Sequence, residues 1–164
     1  MVIVVINIEG VLAEVGTDLM QCSPLQSGRM LYESFRDKRL DVVLMSTSRR
    51  HDMVETWLTR EGFHGHIQLR TATDSVYNGD EFKKDVVEQL LAAQHFIAFV
   101  IDSDPNILTT YVSEVGVPAL LFVPSYERPG KVTVPYRPWD SLVESLEAES
   151  MERRRLAESR PGNE

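Results

Sequence analysis

Short, almost continuous apolar runs alternate along this chain with stretches that carry apolar residues at helical spacing. Such runs, rich in Val, Ile, Leu and Phe, are typical of strands that are buried on both faces of a sheet. The predicted strands lie at residues 2–6, 41–45, 66–71, 96–101 and 118–123. The predicted helices between and after them lie at residues 25–38, 51–61, 80–94 and 105–115. This alternation predicts an α/β fold, in which right-handed crossovers connect a parallel sheet covered by helices on both faces.

The length of 164 residues fits one domain, which we place at residues 1–147. It includes a proline-rich irregular loop at 124–138 and a short amphipathic helix at 139–147. Residues 148–164 lose the apolar period. We therefore expect a frayed helix and a disordered tail there.

Composition excludes several classes of function. Net charge is −8, from 17 basic and 25 acidic residues, which argues against broad binding to duplex nucleic acid because that requires a basic face. A nucleotide or a strand end held by a few arginines remains compatible with this charge. No apolar run approaches the roughly 20 residues that cross a bilayer, so we expect no membrane segment. A single cysteine, Cys22, allows no internal disulfide and suits a reducing cytoplasm.

Polar side chains follow the predicted strands, at the sheet edge where ligands bind in parallel α/β folds. Asn7 and Glu9 follow the first strand, residues 46–49 (STSR) follow the second, residues 70–74 (RTATD) follow the third, and residues 102–104 (DSD) follow the fourth. The oxygens of Asn7, Glu9 and Asp102 could hold one Mg²⁺, a cation that prefers oxygen ligands and bridges to phosphate. Each residue also has a structural interpretation: Asn7 could simply end its strand, Glu9 could be a solvated turn residue, and Asp102 could cap the helix that follows it.

Hydroxyl and basic side chains near the same edge could bind phosphate. Thr47 and Arg49 could donate hydrogen bonds to phosphate oxygens, or cap the helix that follows them. Either Lys83 or Lys84, at the start of the third predicted helix, could neutralise charge there.

The order of these motifs resembles the haloacid dehalogenase (HAD) superfamily of phosphatases over residues 2–123. The family motif Asp-x-Asp-Gly-[Thr/Val] corresponds to NIEGV at residues 7–11, and its Thr-Gly-Arg motif corresponds to residues 47–49. Its lysine corresponds to Lys83 in EFKKDVVEQLL, and its acidic fourth motif corresponds to Asp102 in FVIDSDPN. Within the superfamily, WLTREGF followed by IQLR is most similar to the 3′-phosphatase domain of phage-type polynucleotide kinases.

The resemblance implies a three-layer, Rossmann-like parallel sheet that is capless or has a minimal cap. Residues 10–24 would form the hairpin flap of the family, and the intervals between motifs leave no room for a large cap domain.

The resemblance also implies roles for single residues, and two of them depart from the family pattern. In active members the first Asp attacks phosphorus and the second is the general acid and base. Those positions are Asn7, a poor nucleophile, and Glu9, whose carboxyl group is one methylene further out. The implied catalytic set is Asn7, Glu9, Thr47 and Lys83; the phosphate-binding set is Thr47, Ser48, Arg49 and Lys83; and the Mg²⁺ set, weakened by the missing charge at Asn7, is Asn7, Glu9 and Asp102.

We therefore predict a HAD-like protein with an impaired catalytic site, which binds a phosphate-containing small molecule, a nucleic-acid end or a partner protein. The alternative is an active Mg²⁺-dependent phosphomonoesterase on a nucleotide or a polynucleotide 3′-phosphate. Such an enzyme would use Glu9, or a metal-bound water held by Asp102 and Asp104, as its nucleophile. A third hypothesis is an interaction module whose pocket is vestigial.

Overall fold

The structure is a computed structural model, and it describes residues 2–16, 18–72 and 79–123. The predicted loop at 124–138, helix at 139–147 and tail at 148–164 lie outside the described residues, and the proposed domain boundary at 147 stays a prediction.

Five parallel strands form one open sheet in the order β3-β2-β1-β4-β5. The strands are β1 Val2–Asn7, β2 Asp41–Ser46, β3 Gln68–Thr71, β4 Phe96–Asp102 and β5 Ala119–Leu121. The predicted parallel α/β architecture is confirmed. The two outer strands are shorter than predicted, since an outer strand has a partner on one side only to extend its hydrogen-bond ladder.

Four helices connect the strands: α1 Gln26–Asp37, α2 His51–Arg60, α3 Gly79–Ala92 and α4 Pro105–Thr110. Sequence periodicity predicts one helix over 105–115, whereas the structure has α4 followed by a π-helical turn, Tyr111–Val115. The start of α4 is well defined because the Asp104 side chain accepts from the Asn106 amide at 2.9 Å. None of the helices within the described ranges is long and apolar enough to cross a membrane.

The sheet has an apolar core on each face. Ile3 and Val5 of β1 pack with α3 and α4, whereas Val4 and Ile6 pack with α1 and α2. All four side chains are fully buried, which explains why β1 is continuously apolar rather than alternating. The same alternation directs the next residue, Asn7, towards α3.

A bulge in β4 changes which face its later residues occupy. Ile97 and Phe99 pair with consecutive residues of β1, so Ala98 is one extra residue in β4. Ala98 and Phe99 both pack on the α1 and α2 side, and alternation resumes with Val100 on the α3 and α4 side. As a result, Asp102 lies on the same side of the sheet as Asn7.

The connection from β1 to α1 is part of the core. Ile8, Val11, Leu12 and Ala13 are fully buried against the α1 and α2 face. The Trp57 indole NH of α2 donates to a backbone carbonyl of this connection at 2.9 Å. In the described residues this connection is therefore part of the main domain and not a separate cap, as the capless prediction requires.

Candidate functional site

A cluster of buried polar side chains lies at the carboxyl end of the sheet, between β1 and β4. The chain crosses from β1 to β2 on one side of the sheet and later reaches β4 on the other, so this is the point where the strand order reverses. Asn7 ends β1 and is 1% exposed, and Asp102 ends β4 and is 0% exposed. Most polar groups this deeply buried have hydrogen-bond partners, and each exception needs an explanation.

Asp102 forms a buried ion pair with Lys83 of α3. The Lys83 Nζ lies 2.8 Å from the Asp102 Oδ2, and the Lys83 side chain is 8% exposed. The other carboxylate oxygen, Oδ1, accepts from the backbone amides of Ser103 at 2.7 Å and Asp104 at 3.1 Å. The negative charge of Asp102 is therefore compensated within the protein.

Asn7 presents its amide nitrogen, not its oxygen, to the neighbouring acceptors. Its Nδ2 donates to the backbone oxygen of Glu9 at 2.5 Å and lies 3.4 Å from the Asp102 Oδ1. Its Oδ1 is buried and has no hydrogen-bond partner among the described residues. The Asn7 side chain thus serves here as a hydrogen-bond donor.

Glu9 turns its carboxylate towards the end of β2. The Ser46 hydroxyl donates to Oε1 in a short hydrogen bond, and the Thr47 backbone amide donates to Oε2 at 3.3 Å. The Ser46 Oγ in turn accepts from the Ser48 amide at 3.1 Å. Ser46 is fully buried and ends β2; the sequence prediction includes it among the polar residues after that strand but assigns it no role in the site.

The two adjacent lysines of α3 have different surroundings. Lys83 is buried against Asp102, whereas Lys84 lies at the surface and pairs with Glu114 at 2.7 Å. The geometry therefore places Lys83, the residue singled out by the resemblance, in the cluster.

The remaining predicted phosphate-binding residues are less closely joined to the cluster. Ser48 holds the turn after β2, since its Oγ accepts from the Arg50 amide at 3.2 Å. Arg49 is exposed, and in the described part of the chain no hydrogen bond or ion pair joins it to the buried cluster.

Tyr111, which sequence reasoning assigned to a helix and not to the site, lies close to these residues. Its side chain is fully buried, and its hydroxyl lies 4.0 Å from the Met45 sulfur, with Met45 at the level of Asn7 in the sheet. Burial raises the pKa of Tyr111 far above its usual range, and the negative charge of Asp102 adds to this effect. Tyr111 therefore places an uncharged side chain beside the site.

The predicted Mg²⁺ set is Asn7, Glu9 and Asp102, and its present arrangement does not fit the ion. Mg²⁺ prefers a few oxygen ligands that include one or two carboxylates, but Asp102 is paired with Lys83, the carboxylate of Glu9 is directed at Ser46, and Asn7 turns its nitrogen towards Asp102. In the ranges that the structure describes, no group of three or more His, Cys, Asp or Glu side chains could hold a metal ion. The Mg²⁺ assignment stays a prediction.

Known proteins share the fold of this chain. No family model and no curated protein sequence matches it. Two solved structures of a Pnkp1/Rnl/Hen1 RNA repair complex each contain a similar chain, with a TM-score of 0.66 at 16% identity. The match covers 74% of this chain but only 42% and 46% of those chains, so this chain spans less than half their length. At this identity the likeness establishes the fold alone: a Rossmann-like parallel α/β domain, consistent with the HAD-like arrangement.

Proposed function

We propose that this chain is a non-hydrolysing HAD-like protein that binds a phosphate group carried by a nucleotide or a nucleic-acid end. The observation that carries the proposal is the buried amide of Asn7, which stands where the family has a nucleophile and donates to the surrounding oxygens. A carboxamide oxygen is uncharged and a poor nucleophile, so a covalent phospho-enzyme cannot form on it as it does on aspartate.

The charge distribution supports the same proposal. Lys83 already compensates Asp102, so that this pair has no net charge to attract a divalent cation. Metal-assisted attack by water would need such a cation close to the phosphorus.

The hydrogen-bond donors at the end of β2 support binding of a phosphate group rather than its hydrolysis. The Ser46 hydroxyl and the Thr47 amide both point at one anionic group, the Glu9 carboxylate. Hydrogen-bond donors of this kind hold phosphate oxygens without any covalent step. The likeness to a chain from an RNA repair complex also suits a nucleic-acid end as the carrier of the phosphate.

Phosphate release from nucleotides and 3′-phosphorylated oligonucleotides, measured with Mg²⁺, tests the proposal. We expect no turnover by the wild-type protein above that of Asp102→Ala, together with a ligand-dependent rise in its melting temperature. Turnover by the wild type that Asp102→Ala abolishes would overturn the proposal and would favour an active phosphomonoesterase.

A restored variant makes the test sharper. Asn7→Asp combined with Glu9→Asp returns both motif positions to the family residues. Turnover by this variant alone would locate the missing activity in those two side chains. A melting temperature that no phosphate compound changes would instead favour an interaction module with a vestigial pocket.

A further inference from the structure

Two neighbouring donors of the β2 end converge on one side chain of the same protein. The Ser46 hydroxyl bonds one oxygen of the Glu9 carboxylate, and the Thr47 amide bonds the other at 3.3 Å. The Ser46 oxygen also accepts the Ser48 amide hydrogen at 3.1 Å, which leaves the Ser46 proton directed at Glu9. A hydroxyl and an amide held in this way form a ready-made site for an oxyanion.

We propose that Glu9 is a built-in anion that occupies this site, so that a tetrahedral oxyanion such as phosphate binds only when the Glu9 side chain swings out. The proposal rests on the proposed function, because it names how the same phosphate-binding pocket is regulated. Glu9 then acts as an intramolecular competitor of the ligand and not as a general acid.

The length of the Glu9 side chain fits this role. Its backbone is held in place, since its carbonyl accepts from Asn7 at 2.5 Å and the next residue, Gly10, donates its amide to the Ala13 carbonyl at 2.7 Å. An aspartate on that fixed backbone would be shorter by one carbon–carbon bond, about 1.5 Å, and would lose the contact with Ser46. Because Glu9 is longer than the family Asp, its carboxylate reaches the Ser46 and Thr47 donors at the end of β2.

The side chain is also free to leave. Glu9 is partly exposed, whereas Ser46 is fully buried at the end of its strand. Rotation about the side-chain bonds of Glu9 alone would vacate the donors without moving β1 or β2. An anion that enters would meet two donors that are already oriented, and it would not have to repel a carboxylate.

Binding of inorganic phosphate, measured by isothermal titration calorimetry, tests this proposal without any hydrolysis. We expect Glu9→Ala to bind phosphate at least about tenfold more tightly than wild type, because a hydrogen-bonded competing charge is removed. Glu9→Gln keeps the side-chain length but removes the charge, and we expect an intermediate gain. Adding Ser46→Ala to Glu9→Ala should cancel most of the gain.

Glu14→Ala is the matched control, since it removes the same charge from an exposed position of the same connection. Equal phosphate affinity of Glu9→Ala, Glu9→Gln and Glu14→Ala would overturn the internal competition. That result would leave the proposed non-hydrolysing function untouched, because that function is tested separately, by phosphate release from esters and by the ligand-dependent melting temperature of the wild type.

Discussion

Replacing Lys83 with methionine isolates the contribution of the buried ion pair. The change keeps most of the apolar stem but leaves the Asp102 carboxylate, which is 0% exposed, without its cation. Removing one partner of a buried pair destabilises proteins by about 3–5 kcal/mol. Asp102 keeps its hydrogen bonds from the amides of Ser103 and Asp104, which offset part of the loss. We therefore expect Lys83→Met to lower the free energy of unfolding by about 2–4 kcal/mol.

Urea denaturation followed by circular dichroism measures this change, and the neighbouring lysine provides the control. Lys84→Met removes the same charge from the same helix, but its pair with Glu114 lies at the surface, where ion pairs contribute little. We expect Lys84→Met to unfold at nearly the wild-type urea concentration. Equal midpoints for the two methionine variants would refute the reasoning.

A double variant separates the loss of the Lys83–Asp102 ion pair from the cost of leaving the Asp102 carboxylate buried without a cation. Asp102→Asn in the Lys83→Met background removes the uncompensated carboxylate while keeping its shape. We expect it to recover more than half of the lost stability, since most of the penalty comes from leaving a charge buried alone. No recovery would mean that Lys83 contributes through packing rather than through charge.

Three further changes test other parts of the structure. Gly10 and Gly16 both have a positive φ, which costs an alanine about 1 kcal/mol at either position. A Cβ at Gly10 would also lie 1.8 Å from the Ser103 Oγ, whereas one at Gly16 would meet no atom within 4 Å. Chemical denaturation should therefore show Gly10→Ala to be less stable than Gly16→Ala by about 1–3 kcal/mol. Burial lowers the pKa of His66 below the usual 6.5, so protonation of this side chain favours the unfolded chain. The contribution of neutral His66 to stability is complete above pH 6.5 and is lost as the pH falls through the lower pKa of the folded protein. The melting temperatures of wild type and His66→Gln should therefore converge on acidification. Trp57→Ala removes a fully buried indole and its hydrogen bond; urea denaturation should show a loss of about 3–5 kcal/mol, and a loss under 1 kcal/mol would contradict the packing described.

The sequence predicts the architecture well because strands buried on both faces leave an unmistakable pattern. The run at 2–6 is apolar at every position since β1 packs against a core on each side. The boundaries are less predictable where tertiary contacts decide them. The helical spacing at 105–115, for example, does not distinguish α4 from the π-helical turn that begins at Tyr111.

The location of the cluster also follows from sequence, because carboxyl ends of parallel strands meet at one edge. What sequence does not provide is the direction of each side chain. Whether the Asn7 amide turns its nitrogen or its oxygen to Asp102 depends on contacts between residues far apart in the chain. Likewise, the bond from Ser46 to Glu9 arises only once two strands lie side by side.

The face of the sheet on which Asp102 lies depends on the bulge in β4 and not on the type of any motif residue. If the same residues followed Ile97, which faces α3, in regular alternation without a bulge, every motif residue would be unchanged but Asp102 would face α1, away from Lys83. Two chains with identical signatures could then differ completely in whether a site assembles. Comparing relatives of this protein by motif alone would miss that difference, whereas comparing the pairing register of β1 and β4 would reveal it.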